Sequence, residues 1–335
     1  MLDLLETFKT LQAAGMPSAF EAPCAKVIAQ LAKPYCDEIT IDKLGNVIAH
    51  KKGPGKKIMM PAHMDTIGFL VTHIEEKGFV RFCNIGGFAP YRLIGARVRF
   101  ENGRRGCIAL EKESDAAAKK LSEIKITDLY IDIGADGAES APVQVGDVAV
   151  YDGEPRVLGE DRLVSPYCDD LIACAALLVA MSAIQKSVND LYFVFTVQEE
   201  VGVRGAKTAA YAIEPDYGFC MDVTATGDMP GDDSHMQVFL GKGPAIKIKD
   251  SSLICNPQAV HALRAAAESC GIAYQNEILT GGGTDSSAMQ ISKAGVLSGC
   301  VSIPCRYIHS AGEMVSLQDV RQCARVIEAV AQMEL

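Results

Sequence analysis

A continuous apolar and aromatic stretch, Leu191-Tyr192-Phe193-Val194-Phe195-Thr196-Val197, runs directly into Gln198-Glu199-Glu200. A run of this composition is typical of a strand that is buried on both faces, as strands of parallel sheets are. Two adjacent acids at the end of such a strand repel each other and point to opposite sides. The stretch therefore predicts the centre of an α/β sheet with a polar site at its carboxyl edge.

Helical and extended segments alternate on both sides of this strand. Apolar residues at helical spacing predict helices over residues 4–13, 21–32, 171–185, 205–212, 257–271, 286–295 and 316–333. Short apolar runs between them predict strands over residues 39–42, 45–49, 57–60, 217–221 and 296–303, with another around Ile278. This alternation predicts a three-layer α/β domain with a largely parallel central sheet.

A stretch of different texture interrupts this alternation. Residues 67–162 contain short alternating strands separated by glycine-rich turns, among them an Asn102-Gly103 hairpin signal. We expect an inserted all-β module there. Residues 1–66 and 163–335 must then fold together as one discontinuous catalytic domain, because polar residues of one predicted site lie on both sides of the insertion.

Composition excludes several classes of protein. The 335 residues include 42 acidic and 32 basic side chains, and the net charge of −10 argues against nucleic acid or an anionic membrane as partner. The acidic start lacks the features of a secretory signal, and the apolar run over residues 171–184 is too short to span a bilayer. The 12 cysteines form no C-x-x-C pair, which predicts free thiols. We expect a cytoplasmic protein.

Candidate site residues share one position, the carboxyl ends of predicted strands, where α/β sheets bind ligands. They are His63 and Asp65, Glu199 and Glu200, Asp222, and His309, with Asp169-Asp170 directly before a helix. Each is weak evidence alone, since a single histidine is usually a core residue and paired aspartates often cap a helix. Together, two imidazoles and several carboxylates suit zinc, cobalt or manganese, and hydrolytic sites with two metals need a bridging carboxylate.

The stretch Gly281-Gly282-Gly283-Thr284-Asp285-Ser286 has two interpretations. A phosphate-binding loop is disfavoured, because no lysine follows the glycines at Walker spacing. A flexible loop that presents main-chain amides near the site and ends in a helix N-cap fits better.

These motifs, in this order, resemble the tetrahedral aminopeptidases of metallopeptidase family 42. The resemblance rests on residues 62–68, 169–170, 198–206, 222–223, 281–285 and 308–310, and on a first hairpin over residues 42–49. It extends from the first residue to the last, and this set of motifs is highly specific.

The resemblance implies a role for each matching residue. His63 and Asp222 would hold one divalent metal ion, and Glu200 and His309 would hold the other. Asp169 would bridge the two ions and continue into Asp170 through a cis peptide bond. Glu199 would be the general base, and Asp65 would hold the second ring nitrogen of His63. Zinc or cobalt is favoured for both ions, with manganese as a further alternative.

The resemblance also implies the architecture and the activity. Family members combine a zinc-peptidase-like α/β domain with an inserted β-barrel dimerisation domain, and they assemble as dodecameric tetrahedra. The chain is therefore expected to remove N-terminal residues from peptides with free N-termini, and to form dimers and a dodecamer.

Two positions depart from the family pattern. Thr66 stands where the family usually has Glu, and Leu171 stands where it usually has Arg. Loss of both members of a buried ion pair can be nearly neutral, whereas loss of one strands a charge. We therefore hypothesise that the two positions face each other near the site.

Three other functions compete with this prediction. A glycosidase needs two carboxylates about 5–10 Å apart across a sugar bond, which adjacent Glu199 and Glu200 cannot provide, and it would survive chelation. An N-acyl deacylase or a dipeptidase would use the same metal chemistry on different substrates. A non-enzymatic assembly or binding protein leaves the cluster of acids unexplained.

Overall fold

The computed structural model describes residues 1–111, 120–232 and 235–335. Its helices are α1 (Leu4–Ala14), α2 (Ala22–Ala32), α3 (Cys168–Ala183), α4 (Arg204–Ile213), α5 (Pro257–Ser269), α6 (Asp285–Gln290) and α7 (Leu317–Ala331). Its strands are β1 (Glu38–Ile41), β2 (Val47–Lys51), β3 (Lys57–His63), β4 (Gly68–Ile74), β5 (Val80–Ile85), β6 (Arg97–Phe100), β7 (Arg105–Leu110), β8 (Leu129–Asp132), β9 (Val148–Tyr151), β10 (Arg156–Leu158), β11 (Arg162–Ser165), β12 (Asp190–Thr196), β13 (Tyr217–Thr224), β14 (Ala245–Lys249), β15 (Gln275–Ile278), β16 (Leu297–Arg306) and β17 (Glu313–Ser316).

Helix α1 illustrates how local sequence forms these elements. The Asp3 carboxylate accepts a hydrogen bond from the Glu6 main-chain N–H at 2.9 Å and so caps the first turn. Leu4, Phe8 and Leu11 recur at helical spacing and are buried. This apolar side of α1 packs against α3, which is almost entirely buried beneath the sheet.

The central sheet joins strands from both ends of the chain. Its order is β1-β2-β12-β3-β13-β16-β17-β11-β10, and β14 pairs with both β15 and β16. Strands β12, β3, β13 and β16 are parallel to one another, whereas β2 on one side and β17 on the other pair antiparallel to this group. In the parallel register, His63 at the end of β3 lies opposite Thr196 at the end of β12. The residues that follow these parallel strands therefore lie at the same edge of the sheet.

The inserted strands close into a barrel of order β4-β5-β8-β7-β6-β9. The predicted Asn102-Gly103 hairpin joins β6 to β7, with Gly103 at a φ of +84° that favours glycine. Inside the barrel, the rings of Phe69 and Phe82 meet edge to face at 5.3 Å. The predicted boundaries, residues 67–162, include residues 112–119, which lie outside the described part, and they stay a prediction.

The predicted fold class, an α/β domain combined with a closed β-barrel, is confirmed. The main difference in the helices is at α6, which ends at Gln290 rather than at Gly295, because Lys293 and Gly295 take positive φ values of 51° and 101°. All 12 cysteines are free, as predicted. No helix in residues 1–111, 120–232 and 235–335 combines the length and apolar character that crossing a membrane requires.

Candidate active site

The structure brings the five predicted metal ligands together at the carboxyl edge of the parallel strands. His63 ends β3, Glu200 follows β12, Asp222 lies in β13, His309 follows β16, and Asp169 lies at the start of α3. Their ligand atoms form two groups, each with all atoms within 4.8 Å of one another. The first group is His63, Asp169 and Asp222, and the second is Asp169, Glu200 and His309.

Asp169 belongs to both groups because its two carboxylate oxygens face opposite imidazoles. Its Oδ1 lies 3.1 Å from His63 Nε2, and its Oδ2 lies 3.1 Å from His309 Nε2. His309 Nε2 is also 3.2 Å from Glu200 Oε1. The Asp169–Asp170 peptide bond is cis, as predicted. This arrangement offers two adjacent positions for cations with one shared carboxylate.

Electrostatics indicate that this donor set fits divalent cations. Burial raises the pKa of Asp222, Glu199 and Glu200 above the ordinary values, and neighbouring carboxylates add to the rise. At Asp169, burial acts in the same direction, but hydrogen bonds from His309 and His63 outweigh it and lower the pKa. The buried Glu200 Oε1 has no hydrogen-bond partner among the described residues other than the nearby His309 imidazole. A cation between these groups would supply the missing positive charge.

Asp65 organises the turn that carries the two glutamates. Its carboxylate accepts hydrogen bonds from the main-chain N–H groups of Glu199 at 2.9 Å and Glu200 at 3.2 Å, and from Ser18 Oγ at 2.6 Å. His63 Nδ1 is within hydrogen-bonding distance of the Asp65 main-chain oxygen, at 3.0 Å, whereas the Asp65 carboxylate lies 3.5 Å away. The main chain of Asp65 thus orients the imidazole, and its side chain orients the glutamates.

Glu199 lies beside the ligand groups without belonging to either. Its Oε2 is 4.0 Å from His63 Nε2, and the side chain is 14% exposed. Burial raises the pKa of Glu199 well above its ordinary value, and the Asp222 and Glu200 carboxylates raise it further, while His63 acts in the opposite direction. A carboxylate with a raised pKa at the rim of such a site can accept and return a proton.

Sequence reasoning missed Glu313, a buried residue on β17. Its Oε2 accepts the Asp169 main-chain N–H at 2.9 Å, and its Oε1 accepts the His309 main-chain N–H at 2.8 Å. One carboxylate therefore connects the main chains of two ligands that come from distant parts of the chain. The signal in the sequence, an acid four residues after His309, is too common to single it out.

The glycine-rich stretch reaches the sheet edge through a side chain. The stretch ends at the start of a helix, as predicted: Thr284 occupies the N-cap position of α6, without a capping hydrogen bond from its side chain, and Asp285 is the first helical residue. Asp285 Oδ2 accepts a hydrogen bond from Thr196 Oγ1, while its buried Oδ1 has no partner among the described residues. Burial raises the pKa of Asp285 to about 6.

Thr66 and Leu171 are both fully buried beside the same short segment. The Thr66 N–H donates to the Met16 carbonyl at 3.2 Å. Leu171 Cδ1 would lie 2.9 Å from a β-carbon added at Gly15. The main chain of Thr66 and the side chain of Leu171 thus both border residues 15–16. Their direct contact stays a prediction.

Comparison with known proteins agrees with these features. The family model for the M42 glutamyl aminopeptidases matches residues 45–326. The chain belongs to the M42 peptidase family. Aminopeptidase activity, the hydrolysis of N-terminal peptide bonds, is the function of this family.

Relatives with high coverage support the assignment. A lysyl aminopeptidase of Pyrococcus furiosus is 34% identical over 334 residues, covering 96% of this chain and 94% of that protein. An aminopeptidase structure from the archaeon Desulfurococcus kamchatkensis is 39% identical with a TM-score of 0.93, covering 98% of this chain and 94% of that one. A structure of the Pyrococcus horikoshii TET1 peptidase, described as assembling into a tetrahedron or a large octahedral shell, is 33% identical with a TM-score of 0.87, covering 99% and 100% of the two chains.

Proposed function

We propose that this M42 chain is a dinuclear metal aminopeptidase that removes N-terminal residues from peptides. The observation that supports this most directly is the pair of ligand groups that share Asp169. Dinuclear hydrolytic sites require a carboxylate between two ions with further ligands on each side. The two imidazoles at 3.1 Å from its two oxygens meet that requirement.

The donor chemistry assigns ligands to each ion. His63 and Asp222 would hold one ion, Glu200 and His309 would hold the other, and Asp169 would contact both. A set of neutral imidazole nitrogens and carboxylate oxygens without thiolates favours zinc or cobalt, with manganese as the alternative.

The chain's own residues would handle proton transfer. When bound, two divalent cations supply Lewis-acid polarisation of the peptide carbonyl and acidify a water molecule. Glu199 would accept the proton of that water as general base and then donate it to the leaving amine. Asp65 would keep Glu199 in position through its hydrogen bond to the Glu199 N–H at 2.9 Å. General acid–base catalysis of this kind contributes about 10²–10⁴-fold to the rate.

The acidic character of the site supports a proposal for the substrate, and one relative supports a proposal for the assembly. Peptides with free N-termini are the substrates we propose, because the cluster of buried acids favours a cationic amino group nearby. We further propose that the barrel-containing module over residues 67–162 mediates dimerisation and that dimers assemble into a tetrahedral dodecamer. The assembly described for the TET1 peptidase relative supports this.

A peptide digest followed by mass spectrometry tests the activity. Matched peptides with free and N-acetylated N-termini would be incubated with the protein and cobalt or zinc, with and without a chelator. We expect stepwise loss of residues from free N-termini only, and no loss after chelation. Glu199→Gln should lower turnover by at least about 10²-fold while both ions still bind. Glu214→Gln, at an exposed side chain, is the matched control and should retain full activity.

Four outcomes would contradict the proposal. Removal of acetyl groups would identify an N-acyl deacylase, and cleavage restricted to dipeptides would identify a dipeptidase. Full activity of Glu199→Gln would exclude Glu199 as the base. Absence of turnover with two ions bound would favour a binding role.

A further inference from the structure

One segment of the inserted barrel module reaches the second ligand group. Residues 86–93, here called the strut, follow β5 and precede β6. Gly86 opens the strut at a φ of +77°. A β-carbon added there would lie 2.6 Å from Ile67 Cγ2 and 3.3 Å from Glu200 Oε2. The main chain of the strut therefore lies close to the Glu200 carboxylate, and the positive φ together with the Ile67 contact favours glycine at this position.

A second contact from the strut reaches the loop that carries His309. Arg92 Nη1 donates a hydrogen bond to the Ile308 carbonyl at 3.0 Å. The residues on both sides of Ile308, Tyr307 and His309, each have a φ of +60°. Side chains other than glycine occupy this left-handed region only when surrounding contacts hold them there. The Arg92 hydrogen bond is one such contact, and it lies one residue from a metal-ligand candidate.

The strut is itself well anchored. Asn84 Nδ2 donates to the Gly86 carbonyl at 2.6 Å. Phe88 packs on Phe69 of the barrel with ring centroids 5.4 Å apart, and Leu93 is fully buried. Because both ends of the strut are anchored to the barrel, the strut can hold the residues that it contacts in fixed positions.

We propose that the strut positions Glu200 and His309 and so sets the affinity of the second cation position. This inference rests on the dinuclear site of the proposed function. The first position has supports elsewhere: the Asp65 main-chain oxygen orients the His63 ring, and Asp170 Oδ2 accepts the His63 N–H at 3.2 Å. The inserted module would thereby set the affinity of the second cation position only. Gly86 and Arg92 would act as positioning residues and not as ligands.

Cobalt titration of the full-length, cation-free protein tests the proposal by calorimetry. The wild type should show two binding events, which His63→Ala and His309→Ala assign to the first and second positions. The binding event that is absent in His309→Ala is the one that Gly86→Ala should affect. Its cobalt affinity should fall by about tenfold to hundredfold, the usual effect of disturbing groups that orient ligands. The other event should change less than about twofold.

Gly95→Ala is the matched control for Gly86→Ala. Gly95 lies in the same module at a φ of +80°, but a β-carbon added there meets nothing within 4 Å. Both variants therefore place an L side chain at a positive φ, and only Gly86→Ala adds a clash with Ile67 and a tight contact with the Glu200 carboxylate. Gly95→Ala should bind both ions as the wild type does.

Arg92→Ala tests the second contact without altering the main chain. It should weaken the same event as Gly86→Ala, and Arg92→Lys should restore part of the affinity. Arg97→Ala, at an exposed arginine on β6, should leave both events unchanged. The thermal midpoint of each cation-free variant shows whether folding is intact.

The outcomes separate the two proposals. Fewer than two events in the wild type would overturn the dinuclear site and, with it, the inference. Two events in the wild type that both persist unchanged in Gly86→Ala and Arg92→Ala would overturn the inference alone. Equal weakening of both events would also overturn it, because the strut would then act on the whole site.

Discussion

Replacement of Glu313 by glutamine probes how the ligands are held, because this carboxylate touches the main chain of two of them. Glutamine preserves the shape and one carbonyl oxygen. Its amide nitrogen would face either the Asp169 N–H or the His309 N–H, which now approach the carboxylate at 2.9 Å and 2.8 Å. One buried N–H would therefore lose its acceptor.

The expected magnitude follows from that geometry. A hydrogen bond to a charged acceptor contributes about 1.5–3 kcal/mol, so the free energy of unfolding should fall by about that amount. Displacement of Asp169 or His309 should also weaken cation binding by about tenfold to hundredfold. The second position should suffer most, because both residues belong to that group.

A matched control separates stability from cation affinity. Asp319, buried at the start of α7, accepts the main-chain N–H groups of Gly241 at 2.6 Å and Gly243 at 2.9 Å. Asp319→Asn therefore removes the same kind of clamp from a different place in the fold. We expect both variants to lose stability in chemical denaturation, and only Glu313→Gln to lose cobalt affinity in calorimetry.

Two results would refute this reasoning. Unchanged stability and cobalt affinity in Glu313→Gln would mean that Glu313 is already neutral in the native protein, so that glutamine reproduces it. A similar loss of cobalt affinity in both variants would mean that the effect arises from general loosening of the fold.

Two further predictions concern ion pairs, one fully buried and one partly exposed. Lys247 is buried, with its ammonium against Glu277 and 3.5 Å from Asp250 Oδ2. Lys247→Met should lower the free energy of unfolding by about 3–5 kcal/mol, because it leaves an uncompensated buried carboxylate. At about 2.1 cal/mol/K of unfolding entropy per residue, Tm should fall by about 4–7 °C in calorimetry, and an unchanged Tm would contradict a charged pair. Burial tends to raise the pKa of Asp228, but hydrogen bonds from Arg306 outweigh burial and lower this pKa to about 2. The ionised carboxylate therefore stabilises the fold at pH values above its ordinary pKa. This contribution is lost as the pH falls to about 2. Asp228→Asn should therefore cost about 1–2 kcal/mol in urea titrations at pH 7 and much less near pH 2, and a cost independent of pH would refute this.

Local sequence patterns determined the element types and most of the candidate site. The apolar stretch before Glu199 predicted a central parallel strand, and β12 indeed pairs in parallel with β3. The spacing of apolar residues and the composition of a segment are local properties of the sequence, so they indicate helices and strands without knowledge of the fold. Because parallel strands end at one edge of a sheet, the same patterns also predicted that His63 and Glu200 lie near each other.

Only the tertiary structure decided which groups meet and what holds them. That Asp169 turns one oxygen to His63 and the other to His309 depends on the position of α3 beneath the sheet. The contacts of Glu313 and of Arg92 join residues that are separated by 144 and 216 positions along the chain. No periodic pattern records such contacts, since they arise from the packing of whole elements, and main-chain acceptors such as the Ile308 carbonyl carry no residue signature at all.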